Sequence, residues 1–141
     1  MNNRSIDILN EAVNMKKRGE GFVIATIVQG EEGSPGRTGF KVIVFEDGTF
    51  KGTVGGGKME KLILEKCSEI HRTGKAGLET LHLTEKGIGM ACGGYVKVFY
   101  EYFSPTKTVY VFGAGHICKS ISPILKTLSF KVVIIDNRPE F

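Results

Sequence analysis

The chain has 141 residues, 41% of them hydrophobic and 24% charged, with a formal net charge of +4. This composition predicts a folded protein of one ordinary domain or slightly more, and its dispersed basic residues argue against a nucleic-acid-binding face. No apolar run approaches the ~20 residues of a membrane span, and the three cysteines include no C-x-x-C pair, which argues against a disulfide framework or a structural zinc site. We therefore expect a cytoplasmic protein with reduced thiols.

The N-terminal part of the chain predicts a helix and then a buried strand. Ile6, Leu9, Val13 and the smaller Ala12 recur at helical spacing, so we predict that they form the apolar stripe of a first helix, which ends at Gly19. The nearly continuous apolar run 22–28 is typical of a strand that is covered on both faces.

Further elements follow from periodicity and turn signals. They are, in order, a loop over 31–39, a hairpin of strands 42–45 and 49–54 that turns at Asp47-Gly48, a helix from about Lys58 to Thr73, and strands over 78–83 and 95–103. Cys67 lies on the apolar stripe of this second helix, so we expect it in the core.

Three consecutive glycines, Gly55, Gly56 and Gly57, directly precede the second helix. Residues without a Cβ atom can bring their N–H groups close to a ligand and adopt positive φ, and a helix N-terminus attracts anions. The sequence therefore predicts an anion-binding loop, with a tight turn that binds nothing as the alternative. The stretch nearly matches the P-loop pattern, but Met59 replaces the hydroxyl residue that binds magnesium, which argues against an NTPase.

A second glycine-rich loop spans 87–94 and contains Cys92 and Gly93. Neighbouring backbone N–H groups on such a loop favour the thiolate form of a cysteine. We therefore predict that Cys92 is a ligand-binding residue. The alternative is a small residue buried beside a turn.

Two residues of the 31–39 loop are candidates for an anionic ligand. Arg37 is the best placed cation, with a solvated loop charge as its alternative, and Ser34 either donates to the same anion or starts a turn. No Ser/His/Asp triad or paired carboxylates are visible, so we predict no catalytic residues.

The pattern changes after residue 104. A buried strand, Gly113-Ala114-Gly115, a helix, a second strand and Asp136, 23 residues after Gly113, together match the first βαβ unit of a Rossmann domain. Cys118 occupies the place of the third glycine. The predicted fold is α/β: an α+β domain with a mixed sheet over residues 1–104, followed by a partial Rossmann-like βαβ segment over residues 105–141.

These motifs together resemble the XdhC/CoxI family, the accessory factors of xanthine dehydrogenase and related molybdenum hydroxylases. The segments that carry the resemblance are 33–41, 47–60, 90–94, 111–116 and 136–141. In that family an N-terminal α/β domain precedes a Rossmann domain, and this chain is expected to lack most of the latter.

The resemblance implies a non-enzymatic protein that binds molybdenum cofactor, delivers it to a xanthine dehydrogenase-type apoenzyme and cooperates with a cysteine desulfurase. On this interpretation the glycine run binds the phosphate of the cofactor, and Cys92 is the candidate metal ligand, because a thiolate suits a soft metal centre such as molybdenum. An NAD-dependent oxidoreductase is the alternative, for which Gly113, Gly115 and Asp136 would bind NAD(P). A third interpretation is an interaction domain with purely structural glycine loops.

The sequence of residues 107–141 also predicts that this segment packs against another part of the protein or against a second copy. Two strands and one helix are too few to stand alone in water, and their apolar faces and edges invite pairing. We expect this segment to dock on the N-terminal domain or to build a shared sheet in a symmetric homodimer.

Overall fold

The computed structural model describes residues 3–31, 34, 36–83 and 94–139, which fall into two compact units, Met1–Ser104 and Pro105–Phe141. The elements in chain order are α1 (Asn3–Arg18), β1 (Phe22–Gly30), β2 (Lys41–Phe45), β3 (Phe50–Thr53), α2 (Gly57–Thr73), β4 (Gly77–His82), β5 (Tyr95–Phe103), β6 (Thr108–Phe112), α3 (His116–Thr127) and β7 (Lys131–Ile135). The predicted α/β class is confirmed. None of the described helices is long and apolar enough to cross a membrane.

The N-terminal unit is built on a five-stranded sheet of order β3-β2-β1-β5-β4, and every neighbouring pair is antiparallel. Parallel pairing, which we expected within this sheet, is found instead between β6 and β7. β1 lies at the centre of the sheet and is buried from Phe22 to Ile27, as predicted for a strand covered on both faces. A bulge between Ile27 and Gln29 interrupts its pairing with β5.

Helix α2 covers one face of this sheet. Met59, Ile63, Cys67 and Ile70 are buried and pack against side chains of β1, β2 and β5. The core position of Cys67 is confirmed, and burial raises the pKa of its thiol to about 12. The thiol is therefore neutral at physiological pH and serves as a small apolar group.

Helix α1 covers part of the opposite face, but not with the predicted residues. Ile8 and Met15 are buried, whereas Ile6, Leu9 and Val13 are 40%, 52% and 52% exposed. The predicted stripe was therefore wrong for Ile6, Leu9 and Val13, whereas Ala12, its fourth member, packs against the core. The helix carries two apolar stripes on different sides, and periodicity alone does not decide which of them meets the sheet.

The hairpin between β2 and β3 turns where the sequence predicted. Asp47 Oδ1 accepts hydrogen bonds from Thr49 N at 2.9 Å and from Thr49 Oγ1 at 2.6 Å, and Gly48 has a φ of 82°. Glycine reaches this left-handed conformation without strain, which explains its position in the turn.

The C-terminal unit is a single strand–helix–strand unit in which β6 and β7 are parallel neighbours. Of its described residues, Cys118 is the one hydrophobic residue that is buried. Phe112 and Ile117 are 79% and 83% exposed. Because parallel strands are normally covered on both faces, this unit buries much less of its apolar surface than such a sheet usually does.

Candidate functional site

Three connecting segments meet at one end of the five-stranded sheet, which we call the loop end: the β1–β2 loop, the β3–α2 loop and the residues that flank the β4–β5 connection. A Cβ atom added to buried Gly36 would lie 3.1 Å from Val54 O and 3.0 Å from Met59 Cε. Glu31 N donates to Tyr95 O at 3.2 Å. The first two predicted motifs are therefore in contact, and the third begins beside them.

The glycine run adopts a backbone that only glycine reaches easily. Gly55, Gly56 and Gly57 have φ values of 122°, 80° and 65°. Apart from their chain neighbours, no atom of the described residues lies within 4 Å of a Cβ atom built on Gly56 or Gly57. These two glycines are therefore explained by the required backbone conformation and not by crowding, and the space beside them is open.

Glu60 binds the donors of this loop from within the chain. Its Oε2 atom accepts hydrogen bonds from Thr53 Oγ1 at 2.7 Å, Gly56 N at 3.1 Å and Val54 N at 3.4 Å. The helix dipole also stabilises a carboxylate at the start of a helix. The loop thus already holds a negative group, and the binding of an external anion at Gly55–Gly57 stays a prediction.

The two polar candidates of the β1–β2 loop behave differently. Ser34 is half-buried and its Oγ donates to Gly36 O at 3.1 Å, so its hydroxyl supports the turn. Arg37 and, in the first turn of α2, Lys58 are exposed, and neither forms an ion pair within the described part of the chain. The loop end therefore presents two cations to solvent.

The second glycine loop cannot be placed in this site. Cys92 and Gly93 lie outside the described residues, so their roles as cofactor-binding residues, and that of Cys92 as a metal ligand, stay predictions. The flanking residues are positioned, because Leu83 N donates to Gly94 O at 2.9 Å. Among the residues that the structure describes, no three His, Cys, Asp or Glu side chains are grouped to hold a metal ion.

In the C-terminal unit, two of the candidate nucleotide-binding residues, Gly113 and Asp136, form hydrogen bonds with other residues of the same unit. Gly113 has a φ of 98° and its N–H donates to Ile135 O at 2.7 Å, while Gly115 is the N-cap of α3. Asp136 accepts from the N–H of Ala114, and Arg138 donates to both carboxylate oxygens at 2.9 and 2.8 Å. The Arg138 guanidinium and the Ala114 N–H hold the pKa of Asp136 well below its usual range. Asp136 therefore links β7 to the glycine turn, and a role in NAD(P) binding stays a prediction.

The sequence analysis did not predict the hydrogen bonds that Glu60 accepts. An acidic residue in the first turn of a helix is favourable for the helix dipole, and Glu60 occupies that position in α2. Its three partners were not visible, because Thr53, Val54 and Gly56 meet one carboxylate oxygen only after β3 ends and the chain turns into the helix.

The chain is similar to known proteins. A family model described as "XdhC and CoxI family" matches residues 15–82. The protein YqeB of Escherichia coli (strain K12) is 28% identical over 134 residues, which are 93% of this chain and 25% of YqeB. The chain thus spans about a quarter of the length of this curated relative.

One solved structure shares the fold. It is described as a xanthine dehydrogenase from Bacillus halodurans and matches with a TM-score of 0.54 at 16% identity, over 96% of this chain and 63% of that one. At this identity the likeness concerns the fold alone. The resemblance noted in the sequence is confirmed by the family match and by YqeB. Residues 15–82 of the chain are similar to the XdhC and CoxI family.

Proposed function

We propose that this chain is an accessory factor that binds molybdenum cofactor and assists its maturation and insertion into a xanthine dehydrogenase-type molybdenum hydroxylase. The observation that carries the proposal is the meeting of the motif-bearing loops at the loop end, where buried Gly36 packs against Val54 and Met59. The family match over residues 15–82 includes the β1–β2 loop and the glycine run, so it covers the same place.

The chemistry of the loop end suits an anionic, sulfur-rich ligand. Molybdopterin carries a phosphate and soft sulfur donors. Arg37 and Lys58 are exposed cations that can pair with the phosphate, and the open space at Gly56 and Gly57 allows a close approach. Because Glu60 already accepts the loop N–H groups, we assign the phosphate to these cations and not to the helix N-terminus. Cys92 would supply the thiolate for the metal.

The binding step is tested by measuring cofactor on the purified chain. We expect oxidised-pterin fluorescence and a molybdenum signal from the native protein and a loss of both in Arg37→Gln. Arg72→Gln is the matched control, since Arg72 is an exposed arginine in the last turn of α2, roughly 20 Å along the helix from its first turn. Equal pterin in the two variants, or none in the native chain, would contradict the proposal.

Delivery is a second step with its own test. Pterin-loaded chain should activate an apo-hydroxylase faster than the same amount of free cofactor, and Arg37→Gln should not. A cysteine desulfurase as the source of the terminal sulfur belongs to the same proposal, and it predicts that adding the desulfurase raises the activity of the recipient. Activation that is equally fast with free cofactor would remove the delivery role while leaving binding intact.

A further inference from the structure

Helix α1 covers only part of its face of the five-stranded sheet. It packs on β2, β3 and the first half of β1, where Phe22, Ile24 and Ile43 are buried. Side chains two residues apart on a strand share a face, so the same face continues beyond the helix over the second half of β1, the first half of β5 and β4. We call this uncovered part the open face, and its central side chains are Thr26, Lys41, Leu78, Tyr95, Lys97 and Phe99.

The centre of the open face is apolar and accessible to solvent. Phe99 pairs with Thr26 of β1 on one side and with Leu78 of β4 on the other. Phe99 and Leu78 are 39% and 62% exposed. The solvent face of an antiparallel sheet is normally polar, so this aromatic ring and its apolar neighbour offer a contact surface for a planar group.

Two lysines flank this centre, and both are held in place. Lys41 Nζ donates to Thr26 Oγ1 at 2.9 Å, and Lys97 Nζ lies 5.9 Å from the ring centroid of Tyr95. The Tyr95 hydroxyl in turn accepts a hydrogen bond from Gln29 Nε2 at 2.9 Å. Neither lysine forms an ion pair with another described residue. Each ammonium group therefore keeps donors for an external anion and is already positioned for it.

A carboxylate lies at the other end of this row. Glu101 follows Phe99 by two residues, so it is on the same side of β5, and it is half-buried without an ion pair to any described residue. Glu31, a further carboxylate near the row, is turned toward Gly94, just before the strand. Along β5 a carboxylate, an aromatic ring and an ammonium group thus follow one another in steps of about 7 Å.

We propose that the open face is a binding site for a mononucleotide whose base carries an exocyclic amino group. The base lies against Phe99 and Leu78, Glu101 accepts a hydrogen bond from the amino group, and the phosphate pairs with Lys97 and Lys41. Contact with an aromatic ring is tolerant of the base, whereas the carboxylate selects a base that can donate. The order of the three groups along β5 matches the order of amino group, ring and phosphate in such a ligand.

The size and charge of the open face select one nucleotide over a nucleic-acid strand. Neighbouring strands lie about 4.8 Å apart, so the four strands from β2 to β4 span roughly 14 Å, and the row from Glu101 to Lys97 has a similar length. A single nucleotide fills this area. A longer polyanion needs a series of further cations, and Glu101 would repel it, as it would repel an acidic protein surface.

The proposal is tested by equilibrium dialysis of the full chain against AMP, GMP, CMP, IMP and UMP. The first three bases carry an exocyclic amino group, and the last two do not. We expect at least one of the first three to bind roughly tenfold or more tightly than IMP and UMP, and Glu101→Leu should remove this preference. Lys97→Gln should weaken binding of the preferred nucleotide about tenfold. Lys61→Gln is the matched control, since the Lys61 side chain is 76% exposed on α2, which covers the opposite face.

Four results would overturn the assignment. They are the absence of nucleotide binding at millimolar concentration, undiminished binding by Lys97→Gln, an amino-group preference that persists in Glu101→Leu, and release of the nucleotide by Asp136→Asn. The last result would place the nucleotide on the C-terminal unit instead. Circular dichroism shows whether each variant is folded. Should Glu101→Leu fail to fold, Lys97→Gln decides, because Lys97 contributes no buried apolar side chain to the core.

Discussion

The contacts of Glu60 predict a measurable loss of stability when its carboxylate is removed. In Glu60→Ala, the N–H groups of Val54 and Gly56 and the hydroxyl of Thr53 lose their acceptor. Val54 is fully buried, so solvent cannot easily replace the carboxylate there. An unsatisfied buried donor costs about 1–3 kcal/mol. We therefore expect the free energy of unfolding to fall by roughly 1–3 kcal/mol, or Tm to fall by about 4–8 °C for each kcal/mol in a unit of this size.

Urea denaturation followed by circular dichroism measures this loss, and Glu65→Ala is its control. Glu65 lies on the same helix, its side chain is 60% exposed, and its one ion pair among the described residues, with Lys61, is 3.9 Å long. Such surface pairs contribute little, so the control should lose less than about 0.5 kcal/mol. Glu60→Gln, which keeps one amide oxygen, should lie between the two. If Glu60→Ala is no less stable than Glu65→Ala, the carboxylate does not hold the loop.

Three more predictions concern single residues. Gly52→Ala should lower the free energy of unfolding, measured by urea denaturation, by roughly 3 kcal/mol or more, because Gly52 has a φ of 94° and an added Cβ would overlap a carbonyl oxygen of β2. Its control is Gly48→Ala, with a φ of 82° and no described atom near the added Cβ, which should lose only about 1–2 kcal/mol. Burial raises the pKa of Cys67 from 9.0 to about 12, so its contribution to stability is complete below about pH 9 and is lost toward pH 12; Cys67→Ala should flatten this alkaline decline, and an unchanged pH profile would contradict it. Cys92→Ala should remove retained pterin from the folded chain while Cys118→Ala keeps it, as pterin fluorescence would show.

Local signals in the sequence predicted most of the elements. The hairpin turn at Asp47-Gly48 and the helix that follows the glycine run depend on neighbours a few residues away, and both were found where expected. Helix α1 shows the limit of this reasoning. Its two apolar stripes fit a helix equally well, and only contact with the strands that follow in the chain selects Ile8 and Met15 for burial.

The candidate site was predicted as separate motifs, and its assembly was not. Arg37, the glycine run and Cys92 stood out through composition and spacing alone. Gly36 packs against Val54, and Glu60 accepts hydrogen bonds from the glycine loop. Both contacts depend on the path of the chain after β3, which the periodicity of the sequence does not indicate. The hydrogen bond from Ala114 N to Asp136 was not predicted for the same reason, because Ala114 lies 22 residues earlier in the chain.

The place of the site follows from the strand order. The strand order is β3-β2-β1-β5-β4, and neighbouring strands are antiparallel. One end of the sheet therefore contains the C-terminal ends of β1, β3 and β4 together with the N-terminal ends of β2 and β5. Every connection that carries a glycine-rich motif in the N-terminal unit starts or finishes there. The Asp47-Gly48 turn and the glycine run both lie in segment 47–60, which carries part of the resemblance. The turn, however, lies between β2 and β3, at the opposite end of the sheet. The Asp47-Gly48 turn therefore serves the fold, and the proposed binding concerns the loop end alone, a division that the sequence motif itself does not make.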